Sequence, residues 1–469
     1  MTEASLLEAA RAALAGQEAW LVGGAVRDAL LGRPPADDLD LVVAGDPGEA
    51  ARALARAAGG TAFALSEAFG AWRVAGPGGR WQADLTGLDA PTLEANLARR
   101  DFTVNAMASP LAGGEIVDPL GGAADLRAGV LRLAGPDAFA ADPLRTLRLA
   151  RLACELGLAP DALTLAGARD HAAGLAQVAP ERVFGELCRI VSADAALSGL
   201  RLADEVGATA VVLPELAALH GVQQSAYHHL DVHDHTLAVL AEAIALERDP
   251  EPALGPRAAA AGAVLAEPLA DGLTRWQALR WGALLHDGGK PATAAAASDG
   301  RITFWHHDTV GADLAAAALG RLRASRALRD HVAALTRHHL RLGFLVHERP
   351  LSRRAVYRYL DACGPVAVDV TVLSVADRLA TRGRRADEAI PKHLDLAGEI
   401  LGDALAWRAE GPPRPLLRGD DLAAQLGLEP GPELGGLLAQ LAEAQYAGEI
   451  ADRDDALRLA RELAGPGGG

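Results

Sequence analysis

The sequence predicts an α+β protein in which a small mixed α/β head precedes a mainly α-helical remainder. Two observations predict this order. In residues 1–128, short apolar segments typical of strands alternate with helical segments, and Gly or Pro separates them. After about residue 130, Ala and Leu recur with a helical period. We therefore expect a sheet near the start of the chain and packed helices after it.

Composition shifts divide the 469 residues further. Strands in the head are expected at Leu39 to Ala44, Ala71 to Val74 and Trp81 to Leu85, and a helix is expected at Gly48 to Ala58. The predicted domains are the head at 1–128, a helical neck at 129–222, a second helical domain at 223–395 and a helical tail at 396–469. The Gly-rich end of the tail predicts a disordered C-terminus.

Charge and cysteine content limit the classes of function. The net charge of −16 argues against indiscriminate capture of nucleic acid but permits a local basic groove. Residues 321–358 are rich in Arg and predict such a surface. No long uncharged apolar run is present at either end, so no signal peptide or membrane span is expected. Cys154, Cys188 and Cys363 lie far apart, which indicates buried thiols in a reducing cytoplasm.

The first candidate site is a strand, a turn at Gly23 and Gly24, a helix containing Arg27, and a second strand with Asp38 and Asp40. Alternation along a strand places both carboxylates on one face, where they can hold Mg²⁺ beside a triphosphate. The glycines let backbone N–H groups approach phosphate oxygens. Alone, the turn or the acids would have an ordinary structural explanation, but their combination favours nucleotidyl transfer.

Two further stretches supply polar groups for a nucleotide. Arg100 and Asp101 offer a cation for phosphates and an acceptor for ribose hydroxyls, with Asn105 one helical turn along. Asp84, on a strand of its own, is either a third carboxylate near the metals or a surface residue. The alternative for Arg100, Asp101 and Asn105 is an ordinary surface ion pair beside a helix cap.

A helix opening near Asp142 carries Arg145, Arg148 and Arg151 at intervals of three residues, on one broad face. A carboxylate beside a fork of donors can recognise the Watson–Crick edge of a base, and further arginines can bind triphosphate. Such a row is also typical of a solvated helix face.

Most of the 14 histidines lie in the predicted second helical domain, residues 223–395. An imidazole, an adjacent His-Asp pair and a distant Asp on helices can form a divalent-metal site with mixed N and O ligands. The candidate ligands are His235, His286, Asp287 and Asp377. Candidates for a second metal position are His306, His307, His338 and His339.

These stretches resemble known motifs. Gly23 to Asp40 resembles the GGxVRDxLLGRxxxxDxD signature of polymerase-beta-type nucleotidyltransferases, in particular bacterial (class II) CCA tRNA nucleotidyltransferases and poly(A) polymerases. Leu97 to Ala108 resembles the RRDFTxNA motif of this family. Asp142 to Arg151 resembles EDxxRxxRxxRF, with Ala141 and Leu152 replacing the Glu and the Phe. The histidine pattern resembles the H…HD…D motif of HD phosphohydrolases.

The resemblance implies template-independent addition of C and A to the 3′ end of tRNA from CTP and ATP. It implies that Asp38 and Asp40 bind two Mg²⁺, that Asp101 contacts the ribose and that an unidentified divalent metal occupies the HD site. Nucleotide binding is implied for Gly23, Gly24, Arg27, Arg100, Asn105, Arg148 and Arg151, and base selection for Asp142 and Arg145.

Alternatives remain open. Only a short segment without basic residues separates Asp84 from Arg99, whereas CCA-adding members usually carry a longer loop there, which favours a CC-adding enzyme. A poly(A) polymerase is disfavoured by the HD domain. The other alternative is a metal-dependent HD phosphohydrolase acting on 2′,3′-cyclic or 3′-phosphorylated RNA ends. The sequence also leaves a homodimer open.

Overall fold

The computed structural model describes residues 3–34, 38–66, 70–225, 228–298 and 300–464. The predicted disorder of residues 465–469 lies outside the described residues. The chain folds into two compact units, residues 1–212 and 213–469. The first unit contains a sheet and helices and the second is mainly helical, so the predicted fold class is confirmed. The finer division into four domains stays a prediction.

The first unit is organised around a mixed six-stranded sheet. Its strands are β1 (Ala19–Val22), β2 (Asp38–Val43), β3 (Thr61–Ser66), β4 (Ala71–Ala75), β5 (Gln82–Gly87) and β6 (Ala108–Pro110). The strand order is β3-β4-β5-β2-β1-β6, and β2 and β5 are parallel while the other neighbours are antiparallel. A parallel pair β7 (Val130–Leu131) and β8 (Ala159–Pro160) lies outside this sheet.

Helices cover the sheet and continue into the predicted neck. They are α1 (Glu3–Ala13), α2 (Gly24–Leu30), α3 (Pro47–Ala58), α4 (Leu93–Leu97), α5 (Gly122–Ala128), α6 (Ala138–Ala141), α7 (Arg145–Leu156), α8 (Ala162–His171), α9 (Pro180–Ser192), α10 (Ala196–Glu205) and α11 (Ala208–Val212). The helix predicted near Asp142 begins at Arg145, since the Asp142 side chain instead accepts a hydrogen bond from the Leu144 N–H.

Side-chain alternation along β2 positions the first candidate site. Leu39 and Leu41 point into the apolar core beneath α1 and α3, together with Leu54 of α3. Asp38 and Asp40 therefore point to the opposite face of the sheet, because successive side chains of a strand alternate between faces. The burial of two leucines on one face thus fixes where the two carboxylates lie.

The second unit is a bundle of helices. They are α12 (Pro214–Ala217), α13 (Val232–Arg248), α14 (Glu251–Leu254), α15 (Ala258–Leu265), α16 (Arg275–Leu285), α17 (Lys290–Thr293), α18 (His307–Arg321), α19 (Arg326–His338), α20 (Arg341–Leu345), α21 (Arg353–Cys363), α22 (Ala367–Ala380), α23 (Ala386–Glu410), α24 (Gly419–Leu426), α25 (Pro432–Ala447) and α26 (Arg453–Ala464). Two short hairpins interrupt it: β9 (Pro268–Ala270) with β10 (Leu273–Thr274), and β11 (Ala295–Ala296) with β12 (Ile302–Thr303). Helices α13, α16 and α22 pack together at its centre.

The Arg-rich stretch at 321–358 has acidic partners from other parts of the unit. Arg353 and Arg354 form ion pairs with Asp403 and Glu449 at 2.7 and 2.5 Å. The other pairs are Arg321 with Glu215, Arg337 with Asp313, Arg349 with Glu399 and Arg358 with Glu443. The surface is therefore less positive than the sequence predicts, since carboxylates distant in sequence compensate its charge.

One helical stretch of the described residues, Arg353–Ala380, is long and apolar enough to cross a membrane by composition. In its most apolar window, 78 % is buried inside the protein. This burial is typical of the core helix of a globular unit, and α22 has that position beside α13 and α16.

Candidate functional site

Three carboxylates meet on two neighbouring strands of the head. Asp40 of β2 is in register with Asp84 of the parallel strand β5, and Asp38 lies two residues before Asp40. Arg73 of β4 binds Asp84 through two hydrogen bonds of 2.7 and 2.8 Å. Asp84 therefore lies beside the predicted metal-binding pair, with its charge already compensated by Arg73.

The pKa values of the predicted pair are raised. Although part of the Asp40 side chain reaches solvent, burial raises its pKa to about 6, against the attraction of Arg100 and with the repulsion of Asp38. Burial also raises the pKa of Asp38. Carboxylates held close together are repulsive when ionised, and a bound cation would remove this repulsion.

The turn at Gly23 brings a cation to the same place. Gly23 follows β1 with a φ of 72°, and a Cβ there would lie 3.0 Å from Arg100 Nη1 and 3.1 Å from Asp40 Oδ2. Arg100 Nε is buried and has no hydrogen-bond partner among the described residues. Burial lowers the pKa of Arg100, the opposite of what a close ion pair would do. The guanidinium is thus positioned to bind an anion beside Asp40.

A hydrogen-bonded chain connects the other predicted nucleotide-binding residues. Arg27 donates to Asn105 Oδ1 at 2.6 Å, and Asn105 donates to Asp101 Oδ1 at 3.0 Å. Arg148 donates to Asp101 Oδ2 through Nε at 2.9 Å and Nη2 at 2.6 Å. Burial would raise the pKa of Asp101, but Arg148 and the hydrogen bonds lower it to about 2. Gly24 lies beside this chain, since a Cβ added at Gly24 would lie 3.4 Å from Arg27 Nη2.

Arg151 is placed differently from its predicted role. Its side chain is 4 % exposed and pairs with Glu186 of α9 at 2.5 Å and with Glu155 at 2.8 Å. Glu186 also lies 3.4 Å from Arg148. Because both carboxylates form ion pairs with the Arg151 guanidinium, Arg151 holds α7 against α9 in this structure.

Asp142 and Arg145 have separate partners. Asp142 Oδ2 accepts from Arg182 Nη2 at 2.7 Å. The Arg145 guanidinium donates to the backbone carbonyls of Arg99, Arg100 and Ala138 at 3.0 to 3.2 Å. Arg145 therefore fixes the segment that carries Arg100, and the two residues predicted to select the base do not form an ion pair with each other.

The HD-type residues of the second unit converge from three helices. His235 lies on α13, His286 and Asp287 directly follow α16, and Asp377 lies on α22. His235 Nε2 is 3.1 Å from Asp377 Oδ1 and 3.7 Å from Asp287 Oδ2, and His286 Nε2 is 3.2 Å from Asp287 Oδ2. All four predicted ligands therefore meet at one point.

His307 and His339 approach Asp287 from the other side. Their Nε2 atoms lie 3.4 and 3.9 Å from Asp287 Oδ1, so the Asp287 carboxylate lies between two groups of ligands. Of the four further candidates, these two join the site. His306 is exposed, and His338 Nδ1 accepts a hydrogen bond from Arg341 at 2.9 Å.

The orientation of these imidazoles fits a metal. In His286, His307 and His339, Nδ1 donates to a backbone carbonyl at 2.6 to 2.9 Å, which leaves the Nε2 lone pair facing Asp287. The Nε2 atoms of His235, His286 and His307 are buried without a hydrogen-bond partner among the described residues. Buried imidazole nitrogens left unpaired around a carboxylate are suited to coordinate a divalent cation.

The sequence interpretation gave no role to Lys290. Its Nζ donates to Asp287 Oδ2 at 2.7 Å and to Gln224 Oε1 at 2.6 Å. Burial would raise the pKa of Asp287, but His286 and Lys290 hold it well below its usual range. The spacing of Lys290 three residues after Asp287, within one helical turn, was the available signal.

Three families match the chain. Residues 19–132 match the poly A polymerase head domain, 157–219 match the probable RNA and SrmB-binding site of polymerase A, and 232–382 match the HD domain. The carboxylate site lies in the first of these segments and the histidine cluster in the third. The chain is thus a nucleotidyltransferase with an attached RNA-binding segment and an HD domain.

Relatives narrow this class. The chain is 39 % identical over 444 residues to an A-adding tRNA nucleotidyltransferase of Deinococcus radiodurans, covering 93 % of this chain and 94 % of that protein. It is 37 % identical to a CC-adding tRNA nucleotidyltransferase of Thermus thermophilus, covering 94 % and 92 %. The chain belongs to the bacterial tRNA nucleotidyltransferase family.

Solved structures confirm the fold. A CCA-adding enzyme in complex with ATP has a TM-score of 0.64 at 19 % identity, over 99 % of this chain and 96 % of that chain. The Thermotoga maritima CCA-adding enzyme complexed with tRNA has a TM-score of 0.60 at 19 % identity, over 99 % and 98 %.

Proposed function

We propose that the chain adds C and A to the 3′ end of tRNA in the cytoplasm, using CTP and ATP. The observation that carries this proposal is the placement of Arg100 beside Asp40 at the Gly23 turn, with Asp38 on the same strand face. The Arg100 Nε is buried without a hydrogen-bond partner among the described residues. Carboxylates for a divalent metal beside a free cation for phosphate form the equipment of nucleotidyl transfer.

Asp38 and Asp40 would hold Mg²⁺, which when bound supplies charge neutralisation at the triphosphate and activation of the 3′-hydroxyl. Arg100 binds the phosphates from the side of the turn. Gly23 keeps that approach open because it has no Cβ. The 3′-hydroxyl of the tRNA loses its proton to solvent and its oxygen attacks the α-phosphorus. The bond between the α-phosphorus and the oxygen that bridges to the β-phosphate breaks, and pyrophosphate leaves with that oxygen.

In this proposal, the ion pair between Asp101 and Arg148 breaks, and each side chain then contacts the nucleotide. Each Asp101 oxygen already accepts two hydrogen bonds, which uses its acceptor positions. Arg148 is 33 % exposed and can turn toward a triphosphate. That movement frees Asp101 Oδ2 to accept a ribose hydroxyl. Arg151 is assigned to bracing, since its two carboxylates hold it in place.

Base selection requires a similar exchange. Asp142 is held by Arg182, an exposed side chain, and an incoming base can replace that partner. The Arg145 guanidinium already donates hydrogen bonds to three backbone carbonyls. It can donate to an incoming base only when some of these hydrogen bonds break. The substitution Arg182→Ala is expected to leave transfer intact, whereas Asp142→Ala is expected to reduce discrimination between CTP and ATP.

The test is extension of two tRNA transcripts, one lacking the last three nucleotides and one ending in CC. Purified protein is given Mg²⁺ with labelled CTP, ATP or both, and the products are resolved to single nucleotides. Three additions to the first transcript support the proposal. A stop after CC indicates a CC-adding enzyme, and extension of only the second transcript indicates an A-adding enzyme, so either refutes addition of both nucleotides. Sedimentation of the same preparation tests whether the chain forms a homodimer, which the sequence leaves open.

A second activity is favoured by the unpaired Nε2 atoms of the histidine cluster. We propose that this HD centre hydrolyses phosphate esters. One metal would be held by His235, His286, Asp287 and Asp377, and a second by Asp287, His307 and His339. A divalent cation bound by these residues would activate water as a nucleophile at neutral pH. The oxygen of water forms a bond to phosphorus, the P–O ester bond breaks, and the departing alkoxide takes a proton.

Paired variants separate the two activities. Alanine at Asp38 and Asp40 is expected to abolish transfer and spare hydrolysis of a 2′,3′-cyclic phosphate. Alanine at His286 and Asp287 is expected to do the reverse and to abolish the rise in melting temperature that added Mn²⁺ or Ni²⁺ gives the unsubstituted protein. Loss of both activities from either double substitution would refute two independent sites.

A further inference from the structure

A cavity of about 650 Å³ adjoins the HD centre and includes the ligands His339 and Asp377 in its wall. The side chains of His235, His286 and Asp287 are at most 2 % exposed, whereas that of Asp377 is 23 % exposed. The centre therefore opens to solvent at Asp377, on the side of this cavity. Its volume lies within the range of about 300 to 1,000 Å³ typical of ligand pockets.

The wall of the cavity is cationic. Its basic side chains are Arg378, Arg384, Arg385 and Lys392. Among the described residues, Glu388 is the only acid in the wall besides the ligand Asp377, and it pairs with Arg385 at 3.0 Å. In a chain of net charge −16, such a cluster is a local exception.

Three of these cations have capacity for a ligand. Arg378 donates Nη2 to the Thr381 carbonyl at 2.6 Å, and its Nε is buried without a partner among the described residues. Neither Arg384 nor Lys392 forms an ion pair within the part of the chain that the structure describes. A buried, unpaired N–H beside free cations suits a strong polyoxygen acceptor such as a phosphoryl group.

We propose that this cavity binds the phosphate ester presented to the HD centre, with Arg378 and Lys392 contacting phosphoryl oxygens. This inference rests on the proposed hydrolase function and names the residues that recognise its substrate. The shared chemistry is a phosphate at the 2′ or 3′ position of a ribose, borne by a free nucleotide or by an RNA end. Arg378 fixes the phosphoryl group near Asp377, and Lys392 contributes charge at the opening.

The test compares Arg378→Met, Arg378→Lys and Lys392→Met with the matched control Arg382→Met in the full-length protein. Arg382 lies on the same segment and is 61 % exposed, but it does not line the cavity. The probes are adenosine 3′-monophosphate and a tRNA transcript ending in a 3′-phosphate. Binding is measured by calorimetry in EDTA, and hydrolysis is measured with Mn²⁺. The nucleotidyltransferase site is the same in every variant, so any binding of a probe there contributes equally to all measurements. A difference in binding between variants therefore reports on the cavity.

The methionine variants at Arg378 and Lys392 are expected to weaken probe binding and to raise KM roughly tenfold to a hundredfold, because each removes a charged hydrogen bond to phosphate. Arg378→Lys recovers part of the loss, and Arg382→Met changes nothing. A stronger effect on the transcript than on the nucleotide identifies the RNA end as ligand. Equal binding by all variants overturns the proposal. If the unsubstituted protein hydrolyses neither probe while binding still depends on Arg378 and Lys392, the hydrolase function fails and the anion site stands.

Discussion

The substitution Gly23→Ala tests the geometry of the proposed nucleotidyl-transfer site. Gly23 has φ 72° and ψ −135°, and forcing a residue with a Cβ into such a conformation costs about 1–3 kcal/mol of folding free energy. The added Cβ would also lie 3.0 Å from Arg100 Nη1 and 3.1 Å from Asp40 Oδ2. These contacts are tighter than van der Waals distance, so the guanidinium and the carboxylate must move apart.

Displacement of a catalytic group by 1 Å can reduce a rate by about a hundredfold. Because the displacement expected here is smaller, we expect the single-turnover rate constant for CTP incorporation to fall roughly tenfold to a hundredfold. The assay is single-turnover extension of a tRNA transcript with saturating CTP and Mg²⁺, accompanied by urea denaturation of the same preparation. The urea midpoint reports the backbone strain separately from the effect on the site.

Gly32→Ala is the matched control. Gly32 has φ 67°, but no atom lies within 4 Å of its Cβ position. This variant is expected to lose stability of about 1–2 kcal/mol from its left-handed backbone while retaining transfer activity. If Gly23→Ala extends the transcript as fast as Gly32→Ala does, the placement of Arg100 and Asp40 against the turn is refuted.

Three other predictions concern stability and reactivity. Asp369 is fully buried against Arg275, so Asp369→Ala is expected to destabilise the second unit by about 3–5 kcal/mol in urea unfolding. The control Asp313→Ala, at an exposed residue, should change the free energy of unfolding by less than about 0.5 kcal/mol. Equal effects of the two substitutions would contradict the assignment of a buried charge. Burial lowers the pKa of His393 to about 4, so the unfolded chain binds its proton more tightly, and stability should fall between pH 6.5 and 4, by at most about 3 kcal/mol. His393→Gln should flatten this dependence, and an unchanged slope would refute it. Burial raises the pKa of the Cys154 thiol to about 11, so it should resist iodoacetamide at pH 8 until urea is added, as peptide mass spectrometry can show.

The local elements of the head were predictable because they depend on neighbouring residues. The alternation of Leu39 and Leu41 with Asp38 and Asp40 sets the two carboxylates on one face whatever the rest of the chain does. The turn after β1 needs a residue with a positive φ, and Gly23 adopts this conformation readily because it has no Cβ. The predicted convergence of His235, His286, Asp287 and Asp377 is also observed. The H…HD…D motif specifies which residues are ligands, but it does not specify the distances between them.

Partners were not predictable, because they come from distant parts of the sequence. Glu186 binds Arg151, and Arg182 binds Asp142, although Arg151 and Asp142 both lie on the segment predicted to contact the nucleotide. The stretch at 321–358 is positive in sequence but is compensated in the folded unit by acids located outside it. Local charge therefore gave a poor prediction of surface potential.

By itself, the sequence determined the family, the shared strand face of Asp38 and Asp40, and the four residues that converge in the histidine cluster, whose roles stay predictions. Tertiary structure decided which member of each doubled histidine joins that centre. His306 precedes α18 with a φ of 63°, and His339 directly follows α19, so in each pair the two neighbouring imidazoles point in different directions. The packing of α18 and α19 directs His307 and His339 toward Asp287 and leaves His306 and His338 outside.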